Sequence, residues 1–151
     1  LHPELGHMRI ARDAGDTFRG TCPFHGDCWE GLASGPALLS RARRSVGPLP
    51  PEHPAWSTEA GLLARGVHVL LSGLALERVV LGGGVGTAPG LLARVRAALG
   101  AIDGGYTPGL DPEVDLVAPA LGHDSGLVGA LLLAGERASQ AIPGAAGRPH
   151  R

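Results

Sequence analysis

The spacing of apolar residues along the chain predicts a series of helices separated by polar, Gly- and Pro-rich loops. The longest helical pattern runs from Trp56 to Leu76, where leucine and valine recur at helical spacing after a capping Ser57 or Thr58. Shorter helices are predicted from about Trp29 to Arg44, bent or restarted at Gly35-Pro36, from Pro89 to Leu99 and from Ser125 to Ala138.

Three apolar segments have the character of strands. Arg78–Leu81 and Asp115–Pro119 are short apolar runs, and Met8–Arg12 alternates apolar and basic residues as a half-exposed strand does. The Arg78–Leu81 run ends in Gly82-Gly83-Gly84 and precedes a helix, which gives the order strand, glycine turn, helix. This order predicts an α/β domain over residues 1–138. Residues 139–151 lack periodicity and are predicted to be disordered.

Composition limits the functional classes. Apolar residues make up 44% of the chain but aromatic residues only 3%, so the core must be packed by Leu, Val and Ala. A formal net charge of −1 gives no electrostatic reason to expect nucleic acid or an anionic membrane as a partner. There is no recognisable signal peptide, and no uninterrupted apolar run approaches the ~20 residues that span a bilayer. We therefore expect a cytoplasmic protein.

The only two cysteines lie in the stretch Cys22-Pro-Phe-His25-Gly-Asp-Cys28, and His7 precedes them. Two thiolates and two imidazoles suffice for a tetrahedral zinc site, and four protein ligands make such a site structural because no position stays open for substrate. The alternative is a disulfide between Cys22 and Cys28 with His25 as a bystander. The cytosolic character of the chain disfavours this alternative.

The flanking motifs identify a family. Cys28-Trp-Glu-Gly-Leu-Ala-Ser-Gly-Pro-Ala37 follows the cluster and Glu4-Leu-Gly-His7 precedes it, and together they resemble the ROK family of bacterial sugar kinases and transcriptional repressors. With a histidine at position 25, the motif resembles that of the fructokinase branch of the family. The other branches usually have a third cysteine at this position. The resemblance runs from about His2 to about Ala134, and it covers only the C-terminal half of such a kinase. It implies the C-terminal lobe of an actin-like, ribonuclease-H-like ATPase fold with an inserted zinc loop over residues 7–28.

The resemblance also implies ligands and their contacts. In ROK kinases the residues matching Glu4, His7 and Glu30 contact the sugar, and a turn like Gly82-Gly83-Gly84 lies in the site for ATP with Mg²⁺. From the residues alone, Glu4 and Glu30 could equally be solvated surface, and the glycines a plain tight turn. His7 could serve both sites, because one ring nitrogen can bind zinc while the other donates a hydrogen bond. The family implies a homodimer for the full-length protein.

The expected activity is therefore phosphorylation of a hexose, foremost fructose, by ATP. The family's phosphate-binding motif and catalytic Asp belong to a half that should precede Leu1, so we assign no catalytic residue here and expect the isolated chain to be inactive. Two alternatives stay open. One is a fragment of a sugar-responsive repressor of the same family, and the other is a non-catalytic, zinc-stabilised module for sugar binding or dimerisation.

Several polar residues have simpler interpretations. His123 and Asp124 lie near the cleft by analogy with the family, but a helix cap by Asp124 or Ser125 explains them equally well. Other histidines lack the spacing of metal ligands, and we assign no metal role to His2, His53, His68, His123 and His150. Three acidic residues resemble turn and loop residues, namely Asp13, Asp16 and Asp27.

Overall fold

The computed structural model describes residues 3–43, 47 and 49–141. They fall into two compact units, one ending at Ala118 and one beginning at Pro119. Turns of 3₁₀ helix lie at Leu5–His7 and Gly122–Asp124. The other elements, in chain order, are α1 (Trp29–Leu32), α2 (Gly35–Arg41), α3 (Ala55–Leu74), β1 (Val79–Val80), α4 (Gly83–Gly86), α5 (Leu91–Asp103), α6 (Pro112–Asp115), β2 (Leu116–Val117) and α7 (Ser125–Ala141).

The main core of the first unit lies between α3 and α5. Each helix has an apolar stripe at helical spacing, and the two stripes pack together against one residue of β2. Burying these stripes in a common core stabilises both helices more than their intrinsic propensity does. The buried residues of this core are Ala60, Leu63, Ala64, Val67, Leu71, Leu91, Val95, Leu99 and Leu116.

The two strands form a small parallel sheet. Val79 lies opposite Leu116 and Val80 opposite Val117, and α5 belongs to the crossover between the strands. The Leu81 amide extends the pairing by donating to the Val117 carbonyl at 2.8 Å. Both strands lie within the predicted apolar runs, but each is only two residues long. The predicted order of strand, glycine turn and helix is present.

The predicted strand over Met8–Arg12 is wrong. None of these residues is assigned to a strand. Instead, the Met8 carbonyl accepts the Trp29 amide at 2.9 Å, and the Arg12 guanidinium donates to the Asp16 carbonyl at 2.9 Å. The alternation of apolar and basic residues therefore reflects a segment without a strand partner, in which Ile10 is buried. Hydrogen bonds to the start of α1 and to the loop at Asp16 hold this segment in place.

The predicted helices are present with shifted ends. The first restarts at Gly35, where the Ser34 hydroxyl caps α2 by accepting the Ala37 amide at 3.4 Å. Residue 44, where this helix was predicted to end, lies outside the described residues. The last helix reaches Ala141, so its end falls within the segment 139–151 that was predicted to be disordered. Residues 142–151 also lie outside the described part of the chain.

The second unit contains the 3₁₀ turn at Gly122–Asp124 and α7. At the start of α7 the Ser125 hydroxyl donates to the Gly122 carbonyl at 2.8 Å. The Ser125 side chain is therefore a donor to the backbone carbonyl of a preceding residue. An N-cap side chain instead accepts a hydrogen bond from a backbone N–H of the helix. Within the described residues, no helix combines the length and apolar character needed to cross a membrane.

Candidate functional site

The four predicted metal ligands come together at the start of α1. Their donor atoms all lie within 4.8 Å of one another. The His7 Nδ1 atom is 3.7 Å from Cys22 Sγ and 3.5 Å from Cys28 Sγ, and Cys22 Sγ is 3.8 Å from His25 Nδ1. In tetrahedral zinc sites the usual bond lengths place sulfur and nitrogen ligands about 3.6 Å apart. The residues therefore fit a zinc ion, and both cysteines are free thiols, which excludes the disulfide in this structure.

The two thiols differ in their surroundings. The backbone N–H of His25 points to Cys22 Sγ at 3.5 Å, and this hydrogen bond is the main reason that the pKa of Cys22 is lowered to about 6. Burial raises the pKa of Cys28, whose side chain is fully enclosed. A metal ion binds the thiolate form of cysteine, so Cys22 is prepared for coordination by the loop itself.

Glycines allow this loop to fold tightly against α1. Gly20 and Gly26 both have positive φ, and a Cβ on Gly20 would come within 2.0 Å of the Gly26 carbonyl oxygen. A Cβ on Gly31 would also lie 2.0 Å from that oxygen and 2.9 Å from Cys22 Cβ. The Gly that follows Glu30 in the sequence motif is thus required by backbone packing, because α1 and the loop touch at this point.

Trp29 attaches the loop to the core. Its indole N–H donates to the Leu62 carbonyl of α3 at 3.1 Å. The ring lies on Gly66, where an added Cβ would be only 2.0 Å from Trp29 Cε2. Trp29 also packs against both the main core and the smaller cluster of Ile10, Leu32 and Leu62. The start of α1, and with it Cys28 and Glu30, is fixed relative to the longest helix.

Glu30 lies beside the His7 ring, on the edge opposite the two thiols. Its Oε2 atom is 3.6 Å from His7 Nε2, while His7 Nδ1 faces the two sulfur atoms. The Glu30 side chain is 59% exposed and therefore remains accessible to a ligand. Glu4 lies at the start of the same 3₁₀ turn as His7, and its carbonyl accepts the His7 amide at 3.0 Å. The structure thus brings His7 and Glu30 together, with the backbone of Glu4 next to them.

A network of ion pairs links the loop to α2. Asp16 receives both Nη groups of Arg41 at 2.8 Å, and this pair of hydrogen bonds holds the pKa of Asp16 well below its usual range. Arg12 bridges Asp16 and Asp27, with distances of 3.3 Å and 3.1 Å, and Arg9 also pairs with Asp27. Since Asp27 precedes the ligand Cys28, these charges connect the zinc loop to α2.

Sequence reasoning missed this network. Asp13, Asp16 and Asp27 do lie in loops, as predicted, but each also binds a distant arginine, Asp13 through Arg65 of α3. Phe18 completes the network because its ring stacks under the Arg41 guanidinium, 4.3 Å from the ring centre. Apart from Arg12 and Asp16, the partners are far apart in sequence, so only the folded structure reveals them.

Glu59 was also missed by sequence reasoning. It is completely buried on α3, and neither carboxylate oxygen has a hydrogen-bond partner among the described residues. Burial raises the pKa of Glu59 to about 8, although the positive charge of Arg41 acts in the opposite direction. No sequence signal could have identified it, because one Glu in an amphipathic helix usually lies on the solvent face.

The Gly82-Gly83-Gly84 turn follows β1, and all three glycines are exposed. Gly83 has a φ of +77°, which favours glycine, and it starts the short helix α4 without a side-chain cap. Added Cβ atoms at Gly83 and Gly84 would meet nothing within 4 Å. The turn thus has room for a ligand on its outer side, and its geometry is equally compatible with the plain turn considered above.

A comparison with protein-family models matches residues 1–137 of the chain to the ROK family. The chain therefore belongs to the ROK family, as its motifs predicted.

Curated relatives give a more specific likeness. The chain is 39% identical over 134 residues to a protein of Pediococcus pentosaceus named fructokinase, and this match covers 88% of the chain and 46% of the relative. It is 40% identical over 136 residues to a fructokinase of Zymomonas mobilis, covering 88% and 45%. A fructokinase of Streptococcus mutans is 33% identical over 137 residues, covering 88% and 47%. The chain thus spans about half the length of the curated relatives that it matches.

Proposed function

We propose that this chain is part of a ROK-type sugar kinase that transfers the γ-phosphoryl group of ATP to a hexose, with fructose as the preferred substrate. Family membership and the fructokinase names of relatives at 33–40% identity support this proposal. In the same proposal the chain forms the C-terminal lobe of an actin-like, ribonuclease-H-like fold. The complete activity belongs to the longer protein.

The observation that carries the proposal is the position of the His7 ring between the two thiols and Glu30. Because Nδ1 faces the thiols, Nε2 is left to donate a hydrogen bond on the opposite side. The 3.6 Å between Nε2 and Glu30 Oε2 exceeds ordinary hydrogen-bond length, so neither atom is fully satisfied by the other. A sugar hydroxyl can accept from His7 and donate to Glu30 at the same time.

The cofactors are assigned by the same reasoning. His7, Cys22, His25 and Cys28 would hold a structural zinc ion, whose role is to fix the loop that presents His7 and Glu30. ATP with Mg²⁺ would supply the phosphoryl group and neutralise its charge, and Gly82, Gly83 and Gly84 would line one wall of its site. Glu4 is proposed as a third sugar contact, supported by its place beside His7.

The test is the fructose kinetics of the full-length protein and its Glu30→Gln variant. We expect the wild-type protein to phosphorylate fructose with ATP, and Glu30→Gln to keep one zinc per chain while kcat/KM for fructose falls. Replacing a carboxylate acceptor by an amide misplaces a donor and costs about 1–3 kcal/mol, which corresponds to a loss of roughly 5- to 150-fold. Zinc content by elemental analysis and a coupled kinase assay give the two readouts.

Glu52→Gln provides a control, because this substitution makes the same charge change outside α1 and the zinc loop. Glu52 is an exposed residue between Pro51 and His53. Unchanged fructose kinetics in Glu30→Gln, or loss of zinc, would contradict the assigned role of Glu30. A full-length protein that binds operator DNA and sugar without turnover would instead support the repressor alternative.

A further inference from the structure

An open pocket with a volume of about 650 Å³ lies at the amino-terminal edge of the small sheet. Its walls come from the last turn of α3 and from the loop Tyr106–Leu110 that follows α5. Glu77 and Asp115, which also line it, precede β1 and β2 respectively. The Gly82-Gly83-Gly84 turn follows the carboxyl end of β1, so this pocket lies at the opposite edge of the sheet from the proposed nucleotide site.

The pocket is electrostatically negative. Glu77 and Asp115 are its only lining residues with a formal charge, and neither arginine nor histidine lines it. Within the described part of the chain, Glu77 has neither a hydrogen bond nor an ion pair, whereas Asp115 accepts the Asp111 amide at 2.9 Å. The last turn of α3 lines the pocket, and Tyr106 lies three residues after the end of α5, so the carboxyl ends of both helices, which carry partial negative charge, lie near the pocket.

A third carboxylate, that of Asp103, is hydrogen-bonded to a residue of the pocket lining. Thr107, which lines the pocket, donates its hydroxyl to Asp103 Oδ1 at 2.5 Å and its amide to Oδ2 at 3.1 Å. The hydroxyl bond is the largest cause of the lowered pKa of Asp103, so this carboxylate stays ionised near neutral pH. The basic group that faces Asp103 is His68 on α3, at 3.4 Å, and it lies outside the pocket lining.

Apart from Ser72 and Thr107, the remaining lining is largely apolar. Leu71, Ala75, Leu76 and Leu110 give an aliphatic surface, and the Tyr106 ring is 81% exposed at the rim. The volume falls in the usual range of about 300–1,000 Å³ for small-molecule sites. A bare metal ion does not suit this lining, because among the described residues a cluster of three or more donor side chains occurs only at His7, Cys22, His25 and Cys28.

We propose that this pocket binds small organic cations in which a protonated amine ends a short aliphatic chain. The ammonium group would lie between Glu77 and Asp115, where the carboxylates replace part of its hydration. The aliphatic chain would cover the leucine side chains, and the Tyr106 ring can add a cation–π contact at the rim. This proposal concerns a second ligand site and does not depend on the sugar kinase activity.

Three six-carbon probes that differ in their polar end group test the proposal. Hexylamine, hexanol and hexanoate are titrated separately into the isotopically labelled chain, and binding is followed by NMR through the backbone amides. We expect hexylamine to shift the amides of Tyr106, Thr107 and Leu110, hexanol to bind more weakly, and hexanoate to produce no shifts there. Raising the salt concentration should weaken hexylamine binding, because exposed ion pairs are screened.

The variant Glu77→Gln should weaken hexylamine binding about two- to five-fold, as expected for one partly exposed ion pair, and leave hexanol binding unchanged. Glu52→Gln makes the same charge change on a residue that does not line this pocket and should leave hexylamine binding unaltered. Equal binding of hexylamine and hexanoate, shifts confined to other parts of the chain, or no effect of Glu77→Gln would each overturn the proposal.

Discussion

Gly66 leaves room on the surface of α3 for the indole of Trp29, and this single contact fixes the start of α1. Gly66→Ala would place a methyl group where the ring now lies, 2.0 Å from Cε2, and the ring cannot move without losing its hydrogen bond to Leu62. We expect the free energy of unfolding to fall by about 1–3 kcal/mol, as measured by urea denaturation of the chain.

Gly73→Ala provides a matched control in the same helix. An added Cβ at Gly73 meets nothing within 4 Å, so only the helix propensity changes. This variant should be more stable than the wild type by about 0.5–1 kcal/mol, since alanine loses less backbone entropy than glycine. Equal effects of the two substitutions on the free energy of unfolding would show that the packing of the Trp29 ring against Gly66 is unimportant for stability.

Glu59 makes the stability of the chain depend on pH. Burial raises its pKa from 4.5 to about 8, so between these values the folded chain binds a proton that the unfolded chain releases. The free energy of unfolding should therefore fall as the pH rises through this window, by up to about 1.4 kcal/mol per pH unit from this group. Below the unfolded pKa, the carboxyl is protonated in both states and the stabilisation is fully present.

Glu59→Gln should flatten this slope, because the amide does not titrate. Urea denaturation of both proteins across the window measures the difference, and subtraction removes the contributions of other titrating groups such as the histidines. Asp16 is ionised throughout, since Arg41 keeps the pKa of Asp16 well below this range. An identical pH dependence in the two proteins would contradict the assignment of a protonated, buried Glu59.

At the scale of elements, the zinc loop and the α3–α5 core are built differently. The core is stabilised by apolar stripes, whereas the loop brings four donor side chains together and is linked to α2 by ion pairs. Cys28→Ser should therefore lose zinc and protection of the loop amides against hydrogen exchange, while the amides of α3 and α5 stay protected. Structural zinc sites contribute on the order of 10 kcal/mol to the folding of their ligand segment.

Phe24→Ala is the control for that experiment, because Phe24 lies inside the loop, binds no metal and is 82% exposed. It should retain zinc and amide protection. If Cys28→Ser also removed the protection of α3 and α5, the loop would be part of the cooperative core. If Cys28→Ser kept its zinc, the four-ligand assignment would be wrong.

These elements also show what a sequence can predict. Helical spacing located α3 and α5, and short ligand spacing located the metal cluster, because both signals are local. The strand predicted over Met8–Arg12 failed since strand formation depends on a pairing partner that local alternation does not specify. The Arg41–Asp16 pair and the buried Glu59 could not be predicted, because each depends on which segments the tertiary fold brings together.

At the scale of the whole molecule, the proposed nucleotide and sugar contacts are exposed or half-buried. The Gly82-Gly83-Gly84 turn is exposed, with open space around Gly83 and Gly84, so within the described residues it would form only one wall of the proposed nucleotide site. His7 and Glu30 would likewise form one side of the proposed sugar site, and the Glu30 side chain is 59% exposed. Phosphoryl transfer depends mainly on positioning both reactants, and a one-sided site loses most of that positioning.

We therefore expect the isolated 151-residue chain to show no phosphorylation of fructose and only weak affinity for ATP. A coupled assay with purified chain, ATP, Mg²⁺ and fructose measures the first, and calorimetric titration with ATP the second. The Glu30→Gln variant of the chain distinguishes true turnover from contaminating kinases, because contamination does not respond to the substitution. Turnover that is present in the wild-type chain and reduced in Glu30→Gln would show that these residues contain a complete catalytic site.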